Sequence, residues 1–390
     1  MAEWVERKIS DIGTVVGGAT PSTKKPENYK DGKIAWITPK DLSTFSSRYI
    51  ERGERNITEI GLKSCSTQLL PPNTVLFSSR APIGYVAIAT NGVCTNQGFK
   101  SVIPNENTDP LFLFYLLKYN KDKIEEMGSG TTFKEVSGNT MKNIVVNVPT
   151  DKKVQEKIAA ILGSIDDKIE ENEQINNNLE QQAQALYENI FCIHSDIDTK
   201  HISLSDLMDY AGGSQPPASE FVFSERDGYI RFVQIRDYDT DSHITYIPDS
   251  PKNKLCEEHD IMIARYGASL GRICFGINGA YNVALAKVFP KKSFFREFLR
   301  CYLSSRTFYE GINNKGGRSA QAGFNQSDIN SFEIDFPVDE TIVKKFECTV
   351  APMFEQRLQL KKENQHLASL RDTLLPKLMS GELDVSNVEI

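Results

Sequence analysis

Apolar side chains recur at alternating steps of four and three residues along two stretches of the chain, residues 151–191 and 339–379. A repeat of 3.5 residues keeps one stripe of a helix facing a partner helix, which is typical of a coiled coil. At about 1.5 Å per residue, each stretch would form a helix roughly 60 Å long. The pattern predicts two long helices that pair through these seam positions: Ile158, Leu162, Ile165, Ile169, Asn172, Asn176, Leu179, Ala183, Leu186 and Ile190, and Val343, Phe346, Val350, Met353, Arg357, Leu360, Asn364, Leu367, Arg371 and Leu374.

The two stretches are copies of one another, because a single shift along the chain superimposes them. Pro149 falls on Pro337 and Ile158 falls on Phe346, in both cases 188 positions further on (337 − 149 = 188). This internal repeat predicts that the helices lie antiparallel about a pseudo-two-fold axis.

Polar residues interrupt the seam at equivalent positions. Asn176 and Asn364 are expected to meet across the helix pair and fix its register, as one polar seam residue can; the alternative is that these sites are frayed or face solvent. Arg357 and Arg371 would be costly if buried without partners, so they are expected to reach the seam edge or to contact another protein.

Residues 1–150 and 192–338 repeat one order of strands, turns and helices. Short strands bounded by turn signals and mixed with a few helices indicate an α+β domain. The predicted organisation is a globular domain (1–150), a spacer helix (151–191), a similar globular domain (192–338), a second spacer helix (339–379) and a tail (380–390). The paired predictions are strands at 34–37 and 230–233, 74–80 and 260–265, and 144–148 and 332–336; loops at 81–84 and 266–271; hairpin-like segments at 96–102 and 282–288; and helices at 111–123 and 294–309.

Composition indicates a soluble globular protein, since 39% of its 390 residues are hydrophobic and 25% are charged. There is no run of 18 apolar residues and no apolar signal core near the first residue, so a cytoplasmic location is expected. The seven cysteines include no C-x-x-C pair, which favours reduced thiols over structural zinc or disulfides.

The net charge of −7 offers no positive argument for nucleic-acid binding. Its distribution is uneven, because residues 1–150 hold 18 basic against 15 acidic side chains, whereas residues 151–191 hold 4 against 9. A local basic groove is compatible with this balance.

Sequence signatures of catalysis are missing. The five histidines have no metal-ligand spacing, and no G-x-x-x-x-G-K-[ST] loop is present for ATP. We therefore expect a chain that holds no metal and no catalytic constellation.

Four segments of the chain resemble segments of the DNA-specificity subunit of type I restriction–modification enzymes. The resemblance covers essentially the whole chain. One departure is that the first helix ends at residues 191–194 without the Pro-Lys-Leu sequence that ends the second helix. The two helix ends are therefore expected to contact partners differently. The segments are 370–383 (LRDTLLPKLMSGEL), 161–170 (ILGSIDDKIE), 9–13 (ISDIG) and 128–132 (GSGTT).

The resemblance implies a non-catalytic subunit that binds double-stranded DNA through two target-recognition domains. It also implies two modification subunits, which use S-adenosylmethionine to methylate adenine, and restriction subunits, which use ATP and Mg²⁺ to translocate and cut DNA. This chain would bind none of these cofactors. The residues expected to dock the modification subunits are Arg371, Asp372, Leu375, Pro376, Lys377 and Gly381.

Candidate DNA contacts lie at strand ends and on glycine-flanked loops. Arg80 and Arg265 occupy equivalent strand ends and could bind guanine or a phosphate; an internal salt bridge is the alternative for each. Lys40 and Arg236 also follow strands, where a solvated charge is the alternative. The loop candidates, whose alternative is a plain mobile loop, are Thr131, Thr132 and Lys134, with Arg318, Ser319 and Gln321 in the second domain.

These features together predict that each domain reads one half of a split, asymmetric site, with the helices setting the distance between the halves. For two domains on one face of the duplex, that distance is about one helical turn, roughly 34 Å, or slightly more. Two other classes of function remain open: an enzyme with an unrecognised site, and a scaffold that bridges proteins without contacting bases.

Overall fold

The computed structural model describes residues 3–43, 45, 47–130, 134–193, 197–316 and 323–388. The chain divides into two compact units: unit 1 comprises Met1–Glu171 and Asn364–Ile390, and unit 2 comprises Asn172–Glu363. Each unit thus contains one globular domain and one part of both long helices. Within the described ranges, no helix is both long enough and apolar enough to cross a membrane.

The globular part of unit 1 is an α+β domain with two sheets and a ribbon. The strand orders are β2-β9-β6-β7-β4 and β5-β3-β8, and β1 pairs with β10. The strands are β1 (Trp4–Lys8), β2 (Gly13–Gly17), β3 (Ile34–Ile37), β4 (Tyr49–Ile50), β5 (Arg55–Ile57), β6 (Val75–Ser79), β7 (Ile83–Ala89), β8 (Val93–Thr95), β9 (Lys100–Pro104) and β10 (Val145–Pro149). The helices are α1 (Ile9–Ile12), α2 (Pro39–Ser43), α3 (Glu59–Lys63), α4 (Pro110–Tyr119), α5 (Lys121–Glu126), α6 (Gly138–Asn143) and the start of α7 (Lys152–Tyr187).

Unit 2 repeats this plan. Its sheets have the orders β12-β19-β16-β17 and β14-β13-β18-β15, and β11 pairs with β20. The strands are β11 (Thr199–Ser203), β12 (Met208–Gly212), β13 (Tyr229–Val233), β14 (Tyr246–Pro248), β15 (Leu255–Cys256), β16 (Met262–Ala264), β17 (Ile273–Cys274), β18 (Gly279–Tyr281), β19 (Leu285–Pro290) and β20 (Glu333–Pro337). The helices are α8 (Arg296–Leu303), α9 (Arg306–Gly316), α10 (Gln326–Asn330) and the start of α11 (Glu340–Met379), and α7 continues as a π-helix, Glu188–Ile193.

Strand pairing confirms the internal repeat. The antiparallel series β2-β9-β6 corresponds to β12-β19-β16, and the parallel pair β3–β8 corresponds to β13–β18. In each unit the first and last strands form the ribbon, with Trp4 opposite Pro149 and Thr199 opposite Pro337. The last strand of each domain therefore leads directly into a long helix.

Two predicted helices are shorter than the pattern suggested. Residues 111–123 form α4 and α5, which are separated at Asn120, whose side-chain amide donates to the Leu116 carbonyl oxygen (2.8 Å). Residues 294–309 form α8 and the start of α9, and the Ser305 hydroxyl accepts from the Phe308 amide (3.3 Å). Asn and Ser compete with the helical hydrogen-bond ladder in this way, so they favour helix ends. The predicted loop 81–84 is also shorter, because β7 already begins at Ile83.

The long helices match their predicted extents closely. All twenty predicted seam side chains are buried or half-buried. In unit 1, Asp166 of α7 pairs with Arg371 of α11 (2.7 Å), and the Ile169 carbonyl oxygen accepts from Asn364 (3.2 Å). In unit 2, Asn172 donates to Glu363 (3.1 Å) and Glu180 pairs with Arg357 (2.9 Å). Residue numbers rise on one helix as they fall on the other, so the helices are antiparallel within each unit.

The helix ends belong to the cores of the domains. In unit 1, Ile158 and Leu162 of α7 and Leu378 of α11 are buried with the side chains of α4. In unit 2, Tyr187 of α7 lies edge-on to Phe298 (5.5 Å) and Phe346 (6.3 Å). Such aromatic pairs each contribute about 0.5–1.5 kcal/mol beyond area burial. Each domain is therefore fixed to the ends of the helices that it contacts.

Candidate DNA interface

Arg80 of unit 1 lies directly after β6 and is held by a carboxylate. Its Nη1 is 3.4 Å from Oε2 of Glu135, and Nζ of Lys100 is 3.4 Å from the other oxygen of the same carboxylate. The Arg80 side chain remains 35% exposed. The internal salt bridge, which was the alternative to DNA contact at this position, is thus present, and Glu135 is shared between two cations.

Backbone hydrogen bonds position this cluster. Glu135 and Ser129 exchange two bonds (2.9 and 3.0 Å), and the Val136 amide donates to the Ser79 carbonyl oxygen (3.0 Å). Lys100 is the first residue of β9, which pairs with β6. Arg80 and Lys100 therefore sit at the ends of paired strands, and Glu135 is held beside them by backbone hydrogen bonds to Ser129 and, through Val136, to Ser79.

Arg265 of unit 2 occupies the equivalent place after β16, but its surroundings are aromatic. Its guanidinium carbon lies 5.2 Å from the ring centre of Tyr266 and 5.8 Å from that of Phe324. Nη1 donates weakly to the Val283 carbonyl oxygen (3.5 Å), while Nε is buried and has no hydrogen-bond partner within the described part of the chain. Arg265 also forms no salt bridge to a described residue. Its charge is therefore stacked but not neutralised.

A glycine makes room for this arginine. A Cβ added at Gly212 would lie 2.4 Å from Nη1 of Arg265, too close for two non-bonded atoms. The corresponding strand end in unit 1, Gly17, would place a Cβ 3.9 Å from the nearest atom of Lys100. Gly212 therefore leaves space for the Arg265 side chain, which the sequence pattern did not reveal.

Lys40 and Arg236 are both exposed and both lie near a carboxylate, so their contact with DNA stays a prediction. Nζ of Lys40 is 2.8 Å from Glu54, and both side chains are largely exposed. The hydrogen bond that Lys40 donates to this carboxylate raises the pKa of Lys40. Arg236 is 51% exposed, 3.8 Å from Asp237, and makes long contacts to the His243 carbonyl oxygen and the Thr245 hydroxyl (3.5 Å each).

The loop candidates are only partly described. Thr131, Thr132, Arg318, Ser319 and Gln321 lie outside the described residues. Lys134 is exposed and directly precedes Glu135. These positions stay predictions.

The polar seam residues make contacts that the sequence did not specify. Asn172 and Asn364 bond across the helix pair, to Glu363 and to the Ile169 carbonyl oxygen respectively. Oδ1 of Asn176 is buried without a hydrogen-bond partner among the described residues. Asn176 and Asn364 belong to different units, so their direct pairing stays a prediction.

Arg357 finds a partner at the edge of the seam, where its Nη2 is 2.9 Å from Oε2 of Glu180, whose side chain is 56% exposed. The Arg357 side chain is only 13% exposed and its guanidinium carbon lies 5.0 Å from the ring centre of Phe275 and 5.2 Å from that of Phe354. Arg357 therefore packs inside unit 2, because aromatic faces and Glu180 receive its charge.

Four of the six residues expected to dock partners have internal contacts. Arg371 binds Asp166 and Asp372 (2.7 and 2.8 Å), and Leu375 is partly buried against the core of unit 1. Gly381 has φ +78°, and a Cβ there would lie 2.6 Å from Nε1 of Trp4. Asp372 is exposed although it pairs with Arg371, and Pro376 and Lys377 are also exposed on the surface of α11.

Several members of the interface carried no sequence signal. Three of them lie far in sequence from the arginine near which they are placed: Glu135, Lys100 and Phe324. The fourth, Tyr266, is next to Arg265 but has the appearance of an ordinary loop residue. Aromatic residues flanking Gly267 and Gly323 were the available hint for the second domain. Among the described residues, no group of three or more His, Cys, Asp or Glu side chains could hold a metal ion.

Comparison with known proteins identifies the family. A family model described as the type I restriction modification DNA specificity domain matches residues 1–181 and 197–351. The MjaIX type I restriction enzyme specificity subunit of Methanocaldococcus jannaschii is 34% identical over 419 residues, covering 99% of this chain and 95% of the relative. The HindI specificity subunit of Haemophilus influenzae is 25% identical over 475 residues, covering 98% of this chain and 100% of the relative.

A solved structure shares the fold. The S subunit of the type I restriction–modification system from M. genitalium gives a TM-score of 0.62 at 17% identity, over 97% of this chain and 96% of that chain. Fold and interface together define a DNA-recognition subunit with two target-recognition domains. The chain belongs to the family of type I restriction–modification specificity subunits.

Proposed function

We propose that the two domains read the two halves of a bipartite, asymmetric DNA site. The observation that carries this proposal is the difference at one equivalent position of a repeated fold. Arg80 is neutralised by Glu135, whereas Arg265 is stacked on aromatic rings without a carboxylate. Domains of one fold with different chemistry at the same strand end favour two different half-site sequences.

Arg265 is the strongest candidate for direct recognition. A guanidinium can donate two parallel hydrogen bonds to O6 and N7 of guanine in the major groove. Stacking on Tyr266 and Phe324 restricts the orientation of the group before DNA binds, which reduces the entropy lost on binding. Phosphate contact is the other use of such a group, and it would position the protein without reading sequence.

The long helices supply the spacing in this proposal. Both α7 and α11 continue across the boundary between the units, at residues 171–172 and 363–364. A helix has a fixed rise per residue, so helix length would set the number of unread base pairs between the half-sites.

We further propose that catalysis lies in partner subunits. In this proposal the chain is not an enzyme; two modification subunits supply S-adenosylmethionine-dependent adenine methylation, and restriction subunits supply ATP- and Mg²⁺-dependent translocation and cleavage. The exposed Asp372, Pro376 and Lys377 support docking of the modification subunits on the end of α11.

The decisive experiment is co-expression with candidate modification subunits, followed by mapping of methylated adenines across a genome. The expected result is one bipartite motif containing adenine in each half. Exchanging residues 192–338 for those of another family member should change one half and leave the other intact. A change in both halves would contradict modular reading.

Two control measurements separate this proposal from the other classes of function. Methyl transfer or strand cleavage by the purified chain alone would favour an enzyme. Selection from random oligonucleotides without any sequence preference would favour a protein scaffold.

A further inference from the structure

Unit 2 contains an open cavity of about 250 Å³ between strand β17 and the neighbouring parts of α7 and α11. A buried water needs only about 10–15 Å³ of such volume, so the cavity has room for a larger polar ligand. Its lining includes three cationic side chains, Arg272, Arg357 and Lys361, against one carboxylate, that of Glu180.

The ion pairs around this cavity do not neutralise all of the positive charge on its cationic side chains. Arg272 is fully engaged by Asp239, with hydrogen bonds of 2.9 and 2.6 Å. Arg357 uses Nη2 for Glu180 (2.9 Å), but its Nε and Nη1 are buried and have no hydrogen-bond partner in the described ranges. Lys361 forms no salt bridge to a residue that the structure describes, and the carboxylate whose charge acts on it, Asp241, is itself paired with Arg231 (2.7 Å). Buried cationic donors without acceptors are costly, and an anion in the cavity would remove this cost.

A third arginine, Arg300, lies close to this cavity and is paired with the buried carboxylate of Glu297 (2.6 Å). The guanidinium carbon of Arg300 lies 4.6 Å from the ring centres of both Phe275 and Phe354, the same rings that Arg357 contacts. Burial, reinforced by Arg300, lowers the pKa of Arg357, and burial also lowers that of Lys361. Nη1 of Arg300 is likewise buried and unpartnered among the described residues.

Two neutral groups complete the lining. The hydroxyl of Tyr238 is a buried donor and Oδ1 of Asn176 a buried acceptor, and neither has a partner within the residues described. A hydrogen phosphate group carries oxygens that accept from several donors and one O–H that can donate to a carbonyl oxygen. Its hydrogen-bonding pattern therefore complements that of the cavity.

We propose that this cavity binds one phosphate group through Arg357, Lys361 and Tyr238. The proposal does not depend on the proposed function, because the site is built from contacts inside unit 2. The phosphate could be inorganic, part of a mononucleotide, or a backbone phosphate of DNA.

Binding is tested by calorimetric titration of the full chain with sodium phosphate, with ionic strength held constant by sodium chloride. K361Q should weaken phosphate binding at least fivefold, and Y238F two- to fivefold, because each removes one donor. K345Q is the matched control: Lys345 lies on the same helix within unit 2 but is exposed, so the phosphate affinity should be unchanged. Heat no greater than with chloride, or equal losses in K361Q and K345Q, would overturn the proposal.

A competition experiment distinguishes a DNA backbone phosphate from a free phosphate or nucleotide as the ligand of this cavity. If the site takes a DNA phosphate, inorganic phosphate should compete with a 30-base-pair duplex, and K361Q should flatten the slope of log K against log salt by about 0.9. If it takes a free phosphate or nucleotide, K361Q should leave DNA affinity unchanged while it loses binding of phosphate or of 2′-deoxyadenosine 5′-monophosphate. Because phosphate binding is measured without DNA, its failure is distinguishable from failure of half-site recognition.

Discussion

At the scale of single residues, neutralisation distinguishes the two recognition surfaces. Arg80 shares Glu135 with Lys100, whereas Arg265 has aromatic neighbours and an unpartnered Nε within the described chain. A charge already paired inside the protein gains less from a phosphate or a base than an unpaired charge does, because the first partner must be given up. The two arginines should therefore differ in their contribution to DNA affinity.

Replacing Arg265 by Ala should weaken binding to the cognate duplex by about 1–3 kcal/mol, which is roughly five- to 150-fold, and relax the base preference at one position of the site. Arg265→Lys should not restore binding, because lysine lacks the planar fork and the stacking surface. Fluorescence anisotropy on cognate and single-mismatch duplexes measures both effects. Lys40→Ala is the control, since Lys40 is exposed and paired with Glu54. Equal losses in the two variants would mean that Arg265 acts only as general positive charge.

Replacing Glu135 by Gln should have the opposite effect on DNA affinity, which should increase. Loss of the carboxylate leaves Arg80 and Lys100 without their shared partner, so affinity for non-specific duplex should rise and the salt dependence should steepen by about one phosphate contact. Stability should change by less than about 1 kcal/mol, since the pairs are partly exposed. Binding titrations from 50 to 200 mM salt test this, and an unchanged slope would exclude Glu135 as a regulator of charge.

At the scale of elements, one carboxylate joins three helices of unit 1. Oδ1 of Asp166 on α7 binds Arg371 of α11 (2.7 Å), and Oδ2 accepts from the Tyr115 hydroxyl of α4 (2.6 Å). Arg48, which precedes β4, adds contacts to Asp167, Glu170 and the Gly163 carbonyl oxygen on α7. These buried contacts between elements specify how the domain sits on its helices.

The Arg371→Met variant should lower the free energy of unfolding by about 2–4 kcal/mol, because Asp166 is left buried without its cationic partner. The expected loss of stability is smaller than that for breaking a fully buried ion pair, because the Arg371 side chain is 20% exposed. Urea unfolding gives the value, with Lys377→Gln as an exposed control on the same helix that should stay within about 0.5 kcal/mol. The double variant Asp166→Leu/Arg371→Met should recover part of the loss; if it adds to the loss instead, the ion pair is not the cause.

At the scale of the whole molecule, the internal repeat explains why one chain can carry two readers. Equivalent strand orders and equivalent ribbons show that both domains descend from one plan, and the two long helices are continuous from unit to unit. In the proposed function, the spacing between half-sites is a property of helix length and not of either domain.

Inserting seven residues into both helices, after residues 171 and 363, should lengthen each by about 10.5 Å, since each residue rises about 1.5 Å. The unread spacer should grow by about three base pairs at 3.4 Å each, while both half-sites stay the same. Genome-wide methylation mapping with co-expressed modification subunits reads the spacer directly. Insertion into one helix alone is the control and should abolish site recognition, because the seam loses its partner positions. An unchanged spacer in the double insertion would show that the helices do not set it.

The sequence by itself determined the helices, their seam and the doubled plan, because a 3.5-residue period and a constant shift of 188 positions are local properties of the chain. All twenty seam positions are buried or half-buried, as the period requires. Only the tertiary structure decided which charges are neutralised. Glu135 reaches Arg80 from 55 positions away, and Phe275 reaches Arg357 of α11 from beyond the end of β17. Charge pairing depends on distances of a few ångströms between residues far apart in sequence, and no periodic pattern encodes those distances.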